Sequence, residues 1–314
     1  MPAISASAPG KVILFGEHAV VYGRPAIAIP VAQVKAKAIV TANPRGTPGE
    51  VQVRAGDIDL DSTLGELDPG HPLAVAIWGV TSALKVKRIP ACTVKITSTI
   101  PMAAGMGSGA AVSVAVIRAL SAFLGHPLPD EKVSALAFEV EKIYHGTPSG
   151  IDNSVVTYAR PVYFVKGKPI EILEVRQAFT LVIGDTGIAS PTALVVGDVR
   201  RAWQAEKGQF EAYFDSVGAL AQSARQAIEG GGVELLGPLM DANHGVLRKM
   251  GVSCAQLDAL VAAARRAGAW GAKLCGAGRG GNMIALVPPA RAEGVAMALQ
   301  AAGAVRTLVA EIKG

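Results

Sequence analysis

Three glycine-rich blocks, far apart along the chain, constrain these 314 residues more than any other feature. The first is Pro9 to Pro25 (PGKVILFGEHAVVYGRP), the second Pro101 to Val112 (PMAAGMGSGAAV), and the third Leu274 to Met283 (LCGAGRGGNM). Backbone without Cβ atoms can come close to a ligand and turn its N–H groups toward an anion. The second block runs straight into an apolar, alanine-rich stretch, Ala110 to Leu124, which reads as a buried helix. A glycine loop feeding a helix N-terminus is a ready phosphate site, because orphan N–H groups and the helix dipole both favour negative charge. The pattern points to a nucleotide polyphosphate.

Two common phosphate fingerprints do not fit. A Walker A loop needs G-x-x-x-x-G-K-[ST], and no lysine follows Gly105, Gly107 or Gly109. A dinucleotide fold needs an acidic residue about 20 positions beyond its glycines, whereas here the helix runs on to Gly125 and Pro127. The first block carries a different signal. Lys11 to Phe15 reads as a short buried strand that stops at Gly16 and exposes Glu17 and His18. A charged pair set between glycines after an apolar strand is costly to bury unless it serves a ligand.

In order and spacing the three blocks resemble those of the GHMP small-molecule kinases, and the GEHAVVYG stretch is most similar to the mevalonate kinases within that family. The resemblance covers essentially the whole chain. The Arg-x-Asn and Asp-Tyr that flank GEH in galactokinases are missing here, and diphosphomevalonate decarboxylases lack the GEH segment. A fourth segment, Ala135 to Asn153 (ALAFEVEKIYHGTPSGIDN), agrees: Glu141 stands eleven residues before Asp152, as in mevalonate kinases. By themselves Glu141 would read as a solvated helix residue and Asp152 as a turn former.

The resemblance implies an α+β, two-domain GHMP kinase fold with the active site in the cleft between the domains, divided here as 1–175 and 176–314. It implies ATP and Mg2+ as cofactors and mevalonate as substrate, phosphorylated to 5-phosphomevalonate in isoprenoid precursor synthesis. Asp152 would take the alcohol proton and Lys11 would lie near it. Pro101, Ala104, Gly105, Met106, Gly107, Ser108, Gly109 and Ala110 would hold the nucleotide, and Glu141 with Ser108 the metal. Glu17, His18, Ser149, Thr192, Gly276 and Ala277 would meet the substrate. These residue types suit the chemistry, since phosphoryl transfer needs positioning and charge neutralisation more than covalent work. Another small alcohol, such as phosphomevalonate or a sugar, and a catalytically silent nucleotide sensor remain as alternatives.

Two residues depart from the family pattern. Gly109 stands where mevalonate kinases commonly have a second serine that contributes to magnesium coordination, so either Ser108 or water is expected there. Arg279 stands in the third block in place of a small residue and is expected to point to solvent. His145, four residues after Glu141, can share its helix face, but a zincin would need H-E-x-x-H.

Composition narrows the rest. Thirty Lys and Arg against 25 Asp and Glu give a net charge of +5 without a basic run, which favours small anionic substrates and gives no case for nucleic acid. Three cysteines, Cys92, Cys254 and Cys275, lack metal or redox spacing and fit a reducing, cytoplasmic compartment. The longest uncharged stretch, Ile96 to Ile117 apart from its neighbours, is broken by Pro101, glycines and serines, so no membrane span is expected. A homodimer is compatible with the family. Periodicity predicts a strand-rich start with strands at Ala26–Val31 and Val34–Thr41, and helices near Leu73–Leu84, Glu131–Ile143, Thr192–Glu206, Phe210–Glu229, Gly232–Met250 and Cys254–Ala267.

Overall fold

The structure is a computed structural model that describes residues 3–101, 105–145, 148–190 and 192–313. The chain forms two compact units that interleave in sequence. One comprises 1–10, 34–101 and 107–159, and the other 11–33, 102–106 and 160–314.

In the first unit the strands are β1 (Ala3–Phe15) and β2 (Ala26–Ala42), which both continue into the second unit, β3 (Val51–Ala55), β4 (Leu60–Thr63) and, after helix α1 (Pro72–Ala83), β5 (Cys92–Ser98). The sheet order is β4-β3-β5-β2, with β3 parallel to β5 and the other pairings antiparallel. The α1 crossover is what lets β3 and β5 run parallel. Pro72 opens α1, where its missing N–H costs nothing, and His71 Nδ1 accepts from the Leu73 N–H at 3.3 Å. Three further helices follow: α2 (Ser108–Phe123), α3 (Asp130–His145) and α4 (Ile151–Tyr158). The alanine-rich face of α2 lets α1, α3 and α4 all pack against it, and α3 packs on α4.

The second unit adds β6 (Val162–Phe164), β7 (Glu171–Ile172) and β8 (Phe179–Asp185), then α5 (Thr192–Ala205), α6 (Lys207–Gly230), α7 (Leu236–Lys249), α8 (Ala255–Arg266), β9 (Gly271–Cys275), β10 (Asn282–Val287), α9 (Ala292–Ala301) and β11 (Arg306–Ile312). An antiparallel sheet of order β11-β8-β10-β9 forms its centre. On α6, Phe210, Phe214, Val217, Ala221, Ala224 and Ile228 recur at three- and four-residue intervals and are buried, the stripe a helix needs to lie on a core. Phe210, Phe214 and Val217 join Leu247, Leu257, Leu274 and Met283 in one apolar cluster. Tyr22 stacks on Phe214 with ring centroids 4.1 Å apart, which anchors the end of the first glycine block to α6.

Four expectations are corrected. The two strands expected at Ala26–Val31 and Val34–Thr41 are one strand, β2, which continues through Ala32 and Gln33. The helix expected from Gly232 begins as a 3-10 turn, Val233–Leu235, and becomes α7 at Leu236, with Pro238 in its first turn where proline is tolerated. Asp152 lies in the first turn of a helix, α4, rather than in an irregular turn. Glu17 and His18 are buried, at 2% and 5% exposure, instead of exposed. Among the described residues no helix is long and apolar enough to cross a membrane.

Candidate active site

The second glycine block enters α2 through Gly105 and Gly107, with φ of +75° and +72°. Gly107 is the left-handed cap, so Ser108, Gly109 and Ala110 form the first turn, where backbone N–H groups have no helical partner. An anion at this end meets both those donors and the positive end of the dipole. Met106 accepts a hydrogen bond from the Lys11 N–H at 3.0 Å, which ties the first block to the second within one unit. Ala104 lies outside the described residues.

Glu141 and Asp152 sit with Ser108 in the first unit, on the three mutually packed helices α3, α4 and α2. Glu141 is 2% exposed, so it is not a solvated helix residue. A buried carboxylate is retained where a partner compensates its desolvation. Asp152 is held by its neighbours on α4. Asn153 Nδ2 donates to Ser134 Oγ at 2.8 Å and to the Ser134 carbonyl at 3.1 Å, fixing α4 to α3. Arg118 of α2 donates at 2.6 Å both to the Thr157 carbonyl and to Asp130, so one side chain joins all three helices. Gly150, at φ +96°, caps α4, and Ser149 Oγ accepts from the Ile151 N–H at 3.4 Å. The Asp152 carboxylate therefore stands at a helix N-terminus, where negative charge is favoured.

The second unit holds Lys11, Glu17, His18, Thr192, Gly276 and Ala277. Lys11 is only 5% exposed, so it does not snorkel into water. Thr192 is the first residue of α5. Gly276 and Ala277 begin the six-residue β9–β10 loop, in which all but Ala277 have positive φ. The loop is fixed by hydrogen bonds from Arg279 N–H to the Val252 carbonyl (2.8 Å), from Gly281 N–H to the Ile188 carbonyl (2.7 Å) and from Ser190 Oγ to the Gly278 carbonyl (2.7 Å). Glycine is required at 278, since a Cβ there would stand 1.9 Å from the Val252 oxygen. Arg279 is exposed, as expected, and its guanidinium pairs with Asp198 of α5 and donates to the Gly251 carbonyl at 3.3 Å.

His18 touches this loop. Its Nε2 lies 2.9 Å from the Ala277 carbonyl, which can only accept, so Nε2 carries the proton. Burial, opposed by that bond and assisted by Arg279, pushes its pKa down to about 4, so the ring is neutral near pH 7. Nδ1 is then a bare acceptor, buried and without a hydrogen-bond partner. Such an atom normally finds a partner, and a ligand hydroxyl would supply one.

Sequence reasoning missed what lies beneath Glu17. Lys273, fully buried in β9, pairs with Glu17 Oε1 and donates to the Leu274 carbonyl at 2.8 Å. Asn243 of α7 donates to Glu17 Oε2 at 3.0 Å. The available signal was a lone lysine inside the otherwise apolar strand GAKLC.

Residues 74–160 match the GHMP kinases N terminal domain and residues 224–305 the GHMP kinases C terminal domain. The mevalonate kinase of Thermococcus gammatolerans is 39% identical over 96% of this chain and 93% of its own length. That of Pyrococcus horikoshii is 38% identical with the same coverage. The chain belongs to the GHMP kinase family. Its fold agrees as well: the crystal structure of L. major mevalonate kinase in complex with R-mevalonate superposes with a TM-score of 0.84 at 33% identity, covering 98% of this chain and 95% of that one. This GHMP kinase is an ATP-using phosphotransferase.

For a magnesium ion, the residues fit one mode of binding. Among the described residues no group of three or more His, Cys, Asp or Glu could hold a metal by itself. Magnesium commonly uses one or two carboxylates together with substrate phosphates, and Glu141, a buried carboxylate on α3, which packs against α2, is a donor of the kind that mode needs.

Proposed function

We propose that this kinase phosphorylates mevalonate to 5-phosphomevalonate with ATP and Mg2+. The observation that carries the reading is the whole-length agreement, in sequence and in fold, with mevalonate kinases, one of them solved with R-mevalonate bound. Residues 1–175 form its N-terminal GHMP kinase domain and 176–314 its C-terminal one.

In this reading Pro101, Ala104, Gly105, Met106 and the first turn of α2, Gly107 to Ala110, hold the nucleotide phosphates. Glu141 and Ser108 hold magnesium, which when bound neutralises phosphate charge. Asp152 accepts the proton of the attacking hydroxyl, and Lys11 offsets charge on the transferred group. Neutral His18 accepts a substrate hydrogen bond through Nδ1, with Ser149, Thr192, Gly276 and Ala277 completing the substrate contacts and Glu17 supporting them from beneath. The protein works in the cytoplasm, as three free cysteines favour, and a homodimer is compatible with the family; fractionation and light scattering check the two.

The test is product identity. Purified protein, ATP, Mg2+ and R-mevalonate should yield ADP and a monophosphate ester at the primary hydroxyl by 31P NMR. An ADP signal without that ester would refute the proposal.

A further inference from the structure

We propose that Lys273 is a positioning residue, whose buried ion pair with Glu17 holds the Gly16–His18 turn so that His18 Nδ1 is presented to the substrate. The inference rests on the substrate assignment above and adds the element that orients it.

The turn is one the backbone would not choose. His18 has φ +60° and ψ −49°, outside the regions open to L-residues without strain. Such a conformation persists only where its surroundings over-determine it. Here β9 and the loop that follows do so at two successive residues. Lys273 grips the Glu17 carboxylate, and Ala277, four residues later, accepts from the His18 ring at 2.9 Å. Cys275, between them, donates its thiol to the Ile13 carbonyl at 3.3 Å. Asn243 closes the second carboxylate oxygen from α7, and α7 can lie this close because Gly237 and Gly271 meet backbone to backbone: a Cβ on Gly271 would stand 2.0 Å from the Gly237 oxygen.

Burying both charges fully is expensive, and a pair of this kind rarely adds stability over apolar residues of equal size. The side chains on Glu17 and Lys273 are 1% and 0% exposed, so neither reaches solvent. What the pair provides is direction. The carboxylate can occupy one place, and His18, next in the chain, is set by it. Nδ1 then remains in place as a buried acceptor without a partner of its own.

The test is a kinetic cycle on the intact enzyme. Glu17→Gln/Lys273→Met removes both charges together and so avoids an uncompensated one. If the pair positions His18, this variant keeps a melting temperature near wild type while its KM for mevalonate rises about ten-fold, the scale of one lost hydrogen bond. Its KM for ATP stays within about two-fold, because the nucleotide is held elsewhere. His18→Ala raises the KM of wild type similarly but adds nothing in the neutral-pair background, since the two act as one unit. An unchanged KM for mevalonate in the double variant, or full additivity with His18→Ala, overturns the proposal. Should the double variant not fold, Glu17→Gln alone keeps the side-chain size and removes the ion pair; it must raise the KM for mevalonate while that for ATP holds, and an unchanged KM for mevalonate overturns the proposal equally. Failure of the substrate assignment shows differently: wild type then prefers another alcohol, and the same cycle is read on that alcohol.

Discussion

Replacing Gly278 by alanine should damage the third glycine loop far more than the same change at Gly276, although both glycines have nearly equal φ (+85° and +84°). Both substitutions force an L-residue into left-handed backbone, at about 1–2 kcal/mol. For Gly276 that is the whole cost, since a Cβ there meets no atom within 4 Å. At Gly278 the Cβ would stand 1.9 Å from the Val252 oxygen, a backbone atom that cannot swing aside. Relieving that overlap costs about 1–3 kcal/mol. Moving the Val252 carbonyl also weakens its 2.8 Å bond from the Arg279 N–H, a further ~1 kcal/mol. The sums are about 3–6 kcal/mol for Gly278→Ala and about 1–2 for Gly276→Ala. At roughly 1.5 °C per kcal/mol for a chain of this length, the melting temperature should fall by about 4–9 °C in the first case and about 2–3 °C in the second. Thermal unfolding of both purified variants checks this. Equal shifts would refute the reasoning, because they would mean that the Val252 contact does not constrain the loop.

Asp152→Asn keeps the shape but cannot take a proton, so kcat should drop about 100- to 10,000-fold while nucleotide affinity holds; wild-type turnover would remove Asp152 from the mechanism. Glu141→Gln should raise the magnesium concentration for half-maximal rate at saturating ATP, because an amide is a weaker ligand for a hard cation; Gly109→Ser, in the helical first turn of α2, should leave that requirement unchanged or lower it. A titration of Glu141→Gln matching wild type would release Glu141 from the metal. His18, with its pKa lowered from 6.5 to about 4, binds fewer protons folded than unfolded between those values, so it contributes stability above pH 6.5 that is lost as pH falls toward 4. His18→Gln should flatten the fall in melting temperature over that window, leaving the part due to His244, which is lowered by burial in the same direction; an unaltered slope would contradict the neutral, buried ring.

What the sequence showed and what it hid follow from range. The stripe on α6 and the alanine face of α2 are local patterns, and a helix forms wherever three- and four-residue spacing is sustained. The continuity of β2 was hidden at Ala32 and Gln33, two exposed residues that interrupt the apolar run, yet the strand continues through them and pairs with β5 from Ala36 onward. PSGIDN looks like a turn because Pro, Ser, Gly, Asp and Asn are turn formers; in the structure Gly150, in left-handed backbone, caps α4, whose burial of Ile151, Val155 and Val156 depends on partners outside that segment. The site was legible in the same uneven way. The glycine spacings and GEH announced where ligands meet the chain, but the burial of Glu17 depends on Lys273, 256 residues away, and no local pattern can report that pairing.

The central claim is the substrate, and a competition of alcohols tests it most directly. With ATP and Mg2+ fixed, kcat/KM for ADP release should be measured for mevalonate, phosphomevalonate, galactose and homoserine on one enzyme preparation. Mevalonate should exceed each of the others by at least about 1,000-fold, the discrimination a site built to pair buried polar groups can reach. Equal or greater turnover of any of the other three would contradict it.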